Sequence, residues 1–301
     1  MTSSLPDLAG LLPSWLLALR AERKSASTVE SYSHGVRGFL RWCGDTGTPP
    51  EMTKTNVQAF TVSLLDAGAE PATARARHMA LRRYAAWLAD EGEIDLNPLI
   101  GAKPPQLDKK VTRALSDVEL KRLIAACKGK EFLDRRDEAI VRFLAETGVR
   151  AGELLGMTLP EDLNVTQGVA VVRRGKGGKG RVVPFGPQTA AAVDRYLRAR
   201  RTHKLATDTG PVWLGGGGQG FGYTALDKAL KKRADIAGID KFHLHLMRST
   251  AATRWLRAGG SEQGLMSVAG WSTRSMLDRY TSASAAERAA TEARGLGLGD
   301  L

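Results

Sequence analysis

Six residues of this 301-residue chain, Arg150, Lys176, His245, Arg248, Trp271 and Tyr280, are of types that can together surround one phosphodiester. A guanidinium stays charged and donates through a planar fork, so two arginines can brace the non-bridging oxygens of a phosphate. A lysine ammonium can protonate a leaving oxygen. The tyrosine hydroxyl can attack phosphorus and hold the broken strand as a covalent phosphotyrosine, which conserves the bond energy for rejoining. The chemistry to expect is therefore transesterification of a nucleic-acid backbone rather than hydrolysis.

Singly, each of these residues has an ordinary alternative. Arg150 stands in Thr-Gly-Val-Arg150-Ala-Gly-Glu153-Leu, where it can be a surface arginine paired with Glu153, or Glu153 can orient it for a ligand. Lys176 sits in a glycine-rich turn, and Lys179, three residues on, is an equal candidate there. That turn is not a nucleotide-binding P-loop, because Arg181 and Val182 stand where such a loop needs Lys and Ser or Thr. The run Gly215-Gly-Gly-Gly-Gln-Gly-Phe-Gly222 lacks the strand and helix of a dinucleotide site. His245 and Arg248 are three residues apart, on one face at the start of a helix, where backbone dipoles favour an anion; His243 is a second possible histidine. Trp271 and Tyr280 would by default be packing residues.

The elements that must position these groups are mostly helices. Apolar residues recur at helical spacing over 8–21, with Pro13 placed to delay the start. Ser27-Thr-Val-Glu30 predicts a capping box opening a second helix, 53–67 a third stopped by Gly68, and Pro71 the first turn of a fourth ended by Gly92. Residues 97–112 are rich in Pro, Gly and Lys and read as a linker. Beyond it, Ser116-Asp-Val-Glu119 is another capping box, and a helix over 134–147 leads into Arg150. Two β-branched runs, 168–174 and 181–185, flank the glycine-rich turn and predict a β-hairpin. Helices follow over 189–201, 224–237, 246–258, 262–269, 275–280 and 284–294.

Charge supports a polyanionic partner. Lys and Arg number 44 against 32 Asp and Glu, a net charge of +12. Residues 1–112 hold 13 basic and 12 acidic residues, net +1, so 113–301 carry the remaining +11. Two cysteines 84 residues apart exclude a disulfide framework or a zinc site and fit a reducing cytosol. No secretory leader or membrane span is legible.

Taken jointly, the Thr-Gly-Val-Arg150-Ala-Gly-Glu153-Leu segment, the Gly-Lys176-Gly turn, His245-Leu-Met-Arg248, Ala-Gly-Trp271 and Tyr280 nine residues later resemble, in order and spacing, the tyrosine recombinases, also called the phage integrase family, and within it the compact Xer-like and Cre-like members. Ser249 follows Arg248 where a second histidine is common, and Trp271 stands where many members have histidine. The resemblance implies a mainly α protein with a small β-hairpin or sheet, a two-domain DNA clamp. Its parts would be a helical core-binding (SAM-like) domain at 1–96, the linker at 97–112 and a mixed α/β catalytic domain at 113–301, with no arm-site module ahead of Leu8. It implies a site-specific recombinase working through a 3′-phosphotyrosyl intermediate and a Holliday junction. Tyr280 would be the nucleophile, Arg150 and Arg248 the phosphate clamp, His245 and Trp271 hydrogen-bond donors, and Lys176 the general acid. Neither metal nor other cofactor is implied. Arg75, Arg77, Arg82, Arg83, Lys179 and Arg181 are the expected DNA contacts. The partners would be double-stranded recombination sites, three further copies in a homotetramer, and an accessory directionality factor; the place of action would be the cytoplasm. A type IB topoisomerase, a non-enzymatic DNA-binding regulator and a metal-dependent tyrosine relaxase are the rival classes, the last wanting a histidine cluster that five scattered histidines do not form.

Overall fold

The computed structural model describes residues 6–107, 113–173, 180–218 and 220–281, with the backbone alone at 275 and 279–281. The chain divides into two compact units, residues 1–109 and 110–301.

The first unit is four helices: α1 (Leu8–Ala21), α2 (Ala26–Thr46), α3 (Lys54–Asp66) and α4 (Pro71–Asp90). Two details of the sequence reading are corrected. Ser25, not Ser27, caps α2 by accepting the Thr28 N–H, so Ser27 lies inside the helix. Pro13 does not delay α1, because Asp7 caps it at Ala9 and Gly10 and the proline is taken up inside the helix. Trp15, Phe39, Phe60, Leu81, Tyr84 and Leu88 fill the core. Gly35 of α2 faces Ala80 of α4 so closely that a Cβ at Gly35 would overlap the Ala80 methyl.

The second unit begins with α5 (Asp117–Ala125), opened by the expected reciprocal Ser116–Glu119 capping box. Its central helix is α6 (Phe132–Thr147), which packs against α8 (Pro187–Arg200) and α10 (Leu244–Arg257) and buries Ile140, Val141, Phe143 and Leu144. Between α6 and α8 come the short α7 (Ala151–Leu155) and three strands, β1 (Leu163–Asn164), β2 (Val169–Val172) and β3 (Arg181–Pro184). The strands form an antiparallel sheet in the order β1-β2-β3, with Ala170 opposite Val183 and Val172 opposite Arg181. The sequence predicts the β2–β3 hairpin; α7 and β1 are too short to leave a periodic signal. α9 (Tyr223–Ile236), α11 (Glu262–Ala269) and α12 (Arg274–Thr281) complete the unit. The expected helix over 284–294 lies outside the described residues, as does part of the linker. Among the described residues no helix is long and apolar enough to cross a membrane.

Candidate active site

The site is assembled where helices end. At the end of α6, Gly148 adopts a left-handed conformation (φ +60°), and the chain turns into Arg150, the N-cap of α7. Glu153, at the third position of that helix, accepts the Arg150 backbone N–H at 2.8 Å through Oε2 and Arg150 Nη1 at 2.7 Å through Oε1. The same carboxylate receives a second guanidinium: Arg181, the first residue of β3, donates Nη1 to Oε1 at 3.1 Å and Nη2 to Oε2 at 2.7 Å. The Glu153 side chain is 5% exposed, Arg181 9% and Arg150 27%. Burial pushes the Glu153 carboxyl up, but the hydrogen bonds from Arg181 and then from the Arg150 backbone and side chain outweigh it and bring it down to about 2. Arg150 is thus paired with Glu153, which is itself fixed by Arg181.

Arg248 lies one turn inside α10 and is buried. Its Nη1 donates to Gly148 O at 2.6 Å and its Nη2 to Ala269 O at 2.7 Å. Its guanidinium carbon also stands 5.3 Å from the ring centroid of Trp271, a cation–π distance. Trp271 is placed by Gly270, which closes α11 in a left-handed conformation (φ +64°) and hands the chain to a buried indole packed with Leu256, Leu265 and Leu277. His245, on the first turn of α10, is exposed, and its ring lies parallel to that of His243, the N-cap, with centroids 6.5 Å apart. Tyr280 is on α12, which is seated on the Trp271 cluster by buried Leu277.

The structure thus brings Arg150, Glu153, Arg248 and Trp271 into one connected cluster. Lys176 and Lys179 lie outside the described residues. Arg181, expected to touch DNA, instead turns its fork inward here: besides its two bonds to Glu153 it donates Nε to Val268 O at 2.7 Å. Among the arginines of α4, Arg75 donates to Pro105 O at 2.8 Å and Arg77 to Ser31 O at 3.1 Å, so both engage carbonyls of their own unit. Arg82 reaches the Met79 sulfur at 4.0 Å, and Arg83 is exposed. Sequence reasoning missed the inward role of Arg181 and the carbonyls of Gly148, Val268 and Ala269. The signal available was the glycine beside each motif, Gly148 before Arg150 and Gly270 before Trp271, each turning the chain where a carbonyl is presented.

A helical unit is thus followed by a helical unit with a three-stranded antiparallel sheet, in which Glu153 holds Arg150 and Arg181 while the carbonyls of Gly148 and Ala269 hold Arg248. Residues 113–287 match the model of the phage integrase family, and residues 11–92 that of the phage integrase N-terminal SAM-like domain. The chain is 30% identical over 274 residues to tyrosine recombinase XerC 2 of Ralstonia nicotianae, covering 88% of this chain and 79% of that relative. It is 26% identical to tyrosine recombinase XerC of Thermodesulfovibrio yellowstonii, covering 85% and 86%. Among solved structures, it is similar to XerA recombinase (26% identity, TM-score 0.52, covering 91% and 94%). It shares the fold of a lambda integrase dimer bound to a COC′ core site (17% identity, TM-score 0.68, covering 89% and 96%). The chain belongs to the phage integrase family, the tyrosine recombinases. It is an enzyme of site-specific DNA recombination, of the class that cleaves and rejoins DNA through a tyrosine intermediate.

Proposed function

We propose that Tyr280 is the nucleophile and that Arg150 and Arg248 form the phosphate clamp of this recombinase. The Tyr280 phenolic oxygen attacks the scissile phosphorus in line, the bond to the 5′-oxygen breaks, and a 3′-phosphotyrosyl link and a 5′-hydroxyl result. Lys176, or Lys179 on the same turn, protonates the leaving oxygen. The partner strand's 5′-hydroxyl then reverses the step, giving a Holliday junction after the first exchange. His245 and Trp271 donate hydrogen bonds to the phosphate oxygens. The reading rests on one observation above the rest: Arg150 and Arg248 are both fixed by hydrogen bonds within the protein, with Glu153 holding the first and the carbonyls of Gly148 and Ala269 the second. Donors positioned in advance are the most effective stabilisers of charge that develops in a transition state.

The remaining assignments follow the same reading. Residues 1–96 form the core-binding domain, 97–112 the linker and 113–301 the catalytic domain. Arg82 and Arg83, with Lys179, contact DNA, and Arg75 and Arg77 support that surface from within. Two recombination sites need four active sites, so the working assembly is a homotetramer on DNA, acting in the bacterial cytosol with a directionality factor as an accessory partner. Solved relatives include a lambda integrase tetramer bound to a Holliday junction, which supports this stoichiometry.

The test uses a nicked suicide duplex built on a core site that the protein selects from a randomised library. Wild type is expected to leave an SDS-stable protein–DNA adduct and Tyr280→Phe none. A wild-type protein that binds the selected site and gives no adduct would show that the chemistry is assigned wrongly.

A further inference from the structure

We propose that Arg181 is a positioning residue that fixes the separation and aim of the two phosphate-clamping arginines; the inference rests on the clamp assignment above. The hydrogen bonds of the site close into a ring. From Gly148 O the ring passes to the Arg248 guanidinium and on to Ala269 O. One residue back along the main chain, Val268 O accepts Arg181 Nε, and the other two nitrogens of Arg181 bind both oxygens of Glu153. Glu153 then holds the Arg150 side chain and backbone N–H, two residues from Gly148. Arg181 joins the carboxylate that holds Arg150 to the main chain beside the Ala269 carbonyl that holds Arg248, spanning 28 residues in one direction and 87 in the other.

Its chemistry suits the task. A planar fork can satisfy a carboxylate bidentately with two nitrogens and still direct Nε elsewhere, which an ammonium cannot do. Its charge also compensates Glu153. Without Arg181, the carboxylate would be a buried anion shared with Arg150 alone and would draw that guanidinium inward, away from a phosphate. Space is closed around the fork as well: a Cβ on Gly270 would lie 3.0 Å from Arg181 Nη1 and 3.1 Å from its Cζ and Nε, so the turn that delivers Trp271 is shaped against this side chain.

The experiment measures single-turnover adduct formation at saturating protein on the suicide duplex, with the dissociation constant and melting temperature of each variant taken in parallel. Arg181→Met is expected to leave DNA affinity within about threefold while slowing cleavage by about 100-fold, the scale of one misplaced transition-state donor. Combined with Arg150→Lys, which keeps the charge and removes the fork, Arg181→Met should add less than about threefold, because its effect runs through Arg150. A purely structural role would instead multiply the two losses, and that outcome overturns the proposal, as does an unchanged rate for Arg181→Met alone. If Arg181→Met does not fold, Arg181→Lys takes its place in the same cycle with the same expectation. Wild type without an adduct overturns the clamp assignment and this inference with it; a normal wild-type adduct with additive losses overturns this inference only.

Discussion

The two units of this recombinase are stabilised by different means. In the first, the interior is aromatic and aliphatic: Trp15 stacks on Tyr32 at 5.8 Å and meets Tyr84 at 4.8 Å, Phe39 meets Phe60 edge-on at 5.7 Å, and the Tyr84 hydroxyl, its phenol pushed up by burial, donates to Leu8 O. Its Lys24–Glu22 ion pair is on the surface. In the second unit the charges go inside. Arg136 and Asp137 pair at 2.7 Å with side chains only 4% exposed, Arg233 spans Asp134 and Asp137, and Glu153 takes two arginines. Ionic burial is expensive and confers little net stability over an apolar core. What it confers is direction, since an apolar contact has no preferred angle and a bidentate guanidinium has one. Among the described residues the buried, directional ion pairs lie in the second unit, whereas the first unit's ion pair is on the surface.

Truncation at Arg248 should separate the units most sharply. Arg248→Ala is expected to slow adduct formation by about 1,000-fold. It should also lower stability, because Gly148 O and Ala269 O would each lose a buried donor at about 1–3 kcal/mol. Single-turnover kinetics and a thermal melt read both effects, and a wild-type cleavage rate in this variant would remove the clamp assignment.

Leu88→Ala probes the other interior. Loss of a fully buried leucine should cost the first unit about 2–5 kcal/mol. Calorimetry should show one transition moving down while the second unit's transition and the adduct rate at saturating DNA stay put. Two transitions shifting together would deny that the units are energetically distinct.

Acid should distinguish them too. The Glu153 carboxyl titrates near 4.5 when unfolded and near 2 when folded, so the folded state binds fewer protons in between. The resulting contribution, about 3 kcal/mol, is complete above pH 4.5 and is lost as pH falls toward 2. Glu153→Gln should therefore flatten the stability profile of the second unit in that window, and an identical profile in wild type and variant would count against the buried ionic arrangement.

The smallest effect belongs to the surface of the first unit. Arg83→Ala should change stability by no more than about 0.5 kcal/mol. It should lower the salt slope of DNA binding by about 1 if the exposed arginine meets a phosphate. A slope equal to wild type would withdraw Arg83 from the interface.

Local signals carried most of the fold into view. The Ser116–Glu119 box, Gly68, Pro71 and Gly92 each act within a few residues, so the ends of α3, α4 and α5 are legible. The start of α2 was misread because Ser25 and Ser27 both offer an oxygen within the same turn, and only the backbone decides between them. Within the candidate site, residue types and spacing single out Arg150, Glu153, Arg248 and Trp271, which the fold brings together, because a motif is a local pattern. The inward turn of Arg181 was not legible: its partners are Glu153 and Val268, and a basic residue on a hairpin arm looks the same whether its fork meets a phosphate or a distant carboxylate.

The ring of hydrogen bonds has an uneven exposure to genetic change. Arg248 and the Nε of Arg181 are received by main-chain carbonyls, those of Gly148, Ala269 and Val268, which no codon can delete. Glu153 is the one acceptor in the ring that belongs to a side chain. In a saturation library selected for recombination, Val268 and Ala269 should accept many replacements that keep the turn, whereas position 153 should tolerate almost none. On its acceptor side the ring is in this sense written largely in backbone, and Glu153 is where a single substitution can remove an acceptor.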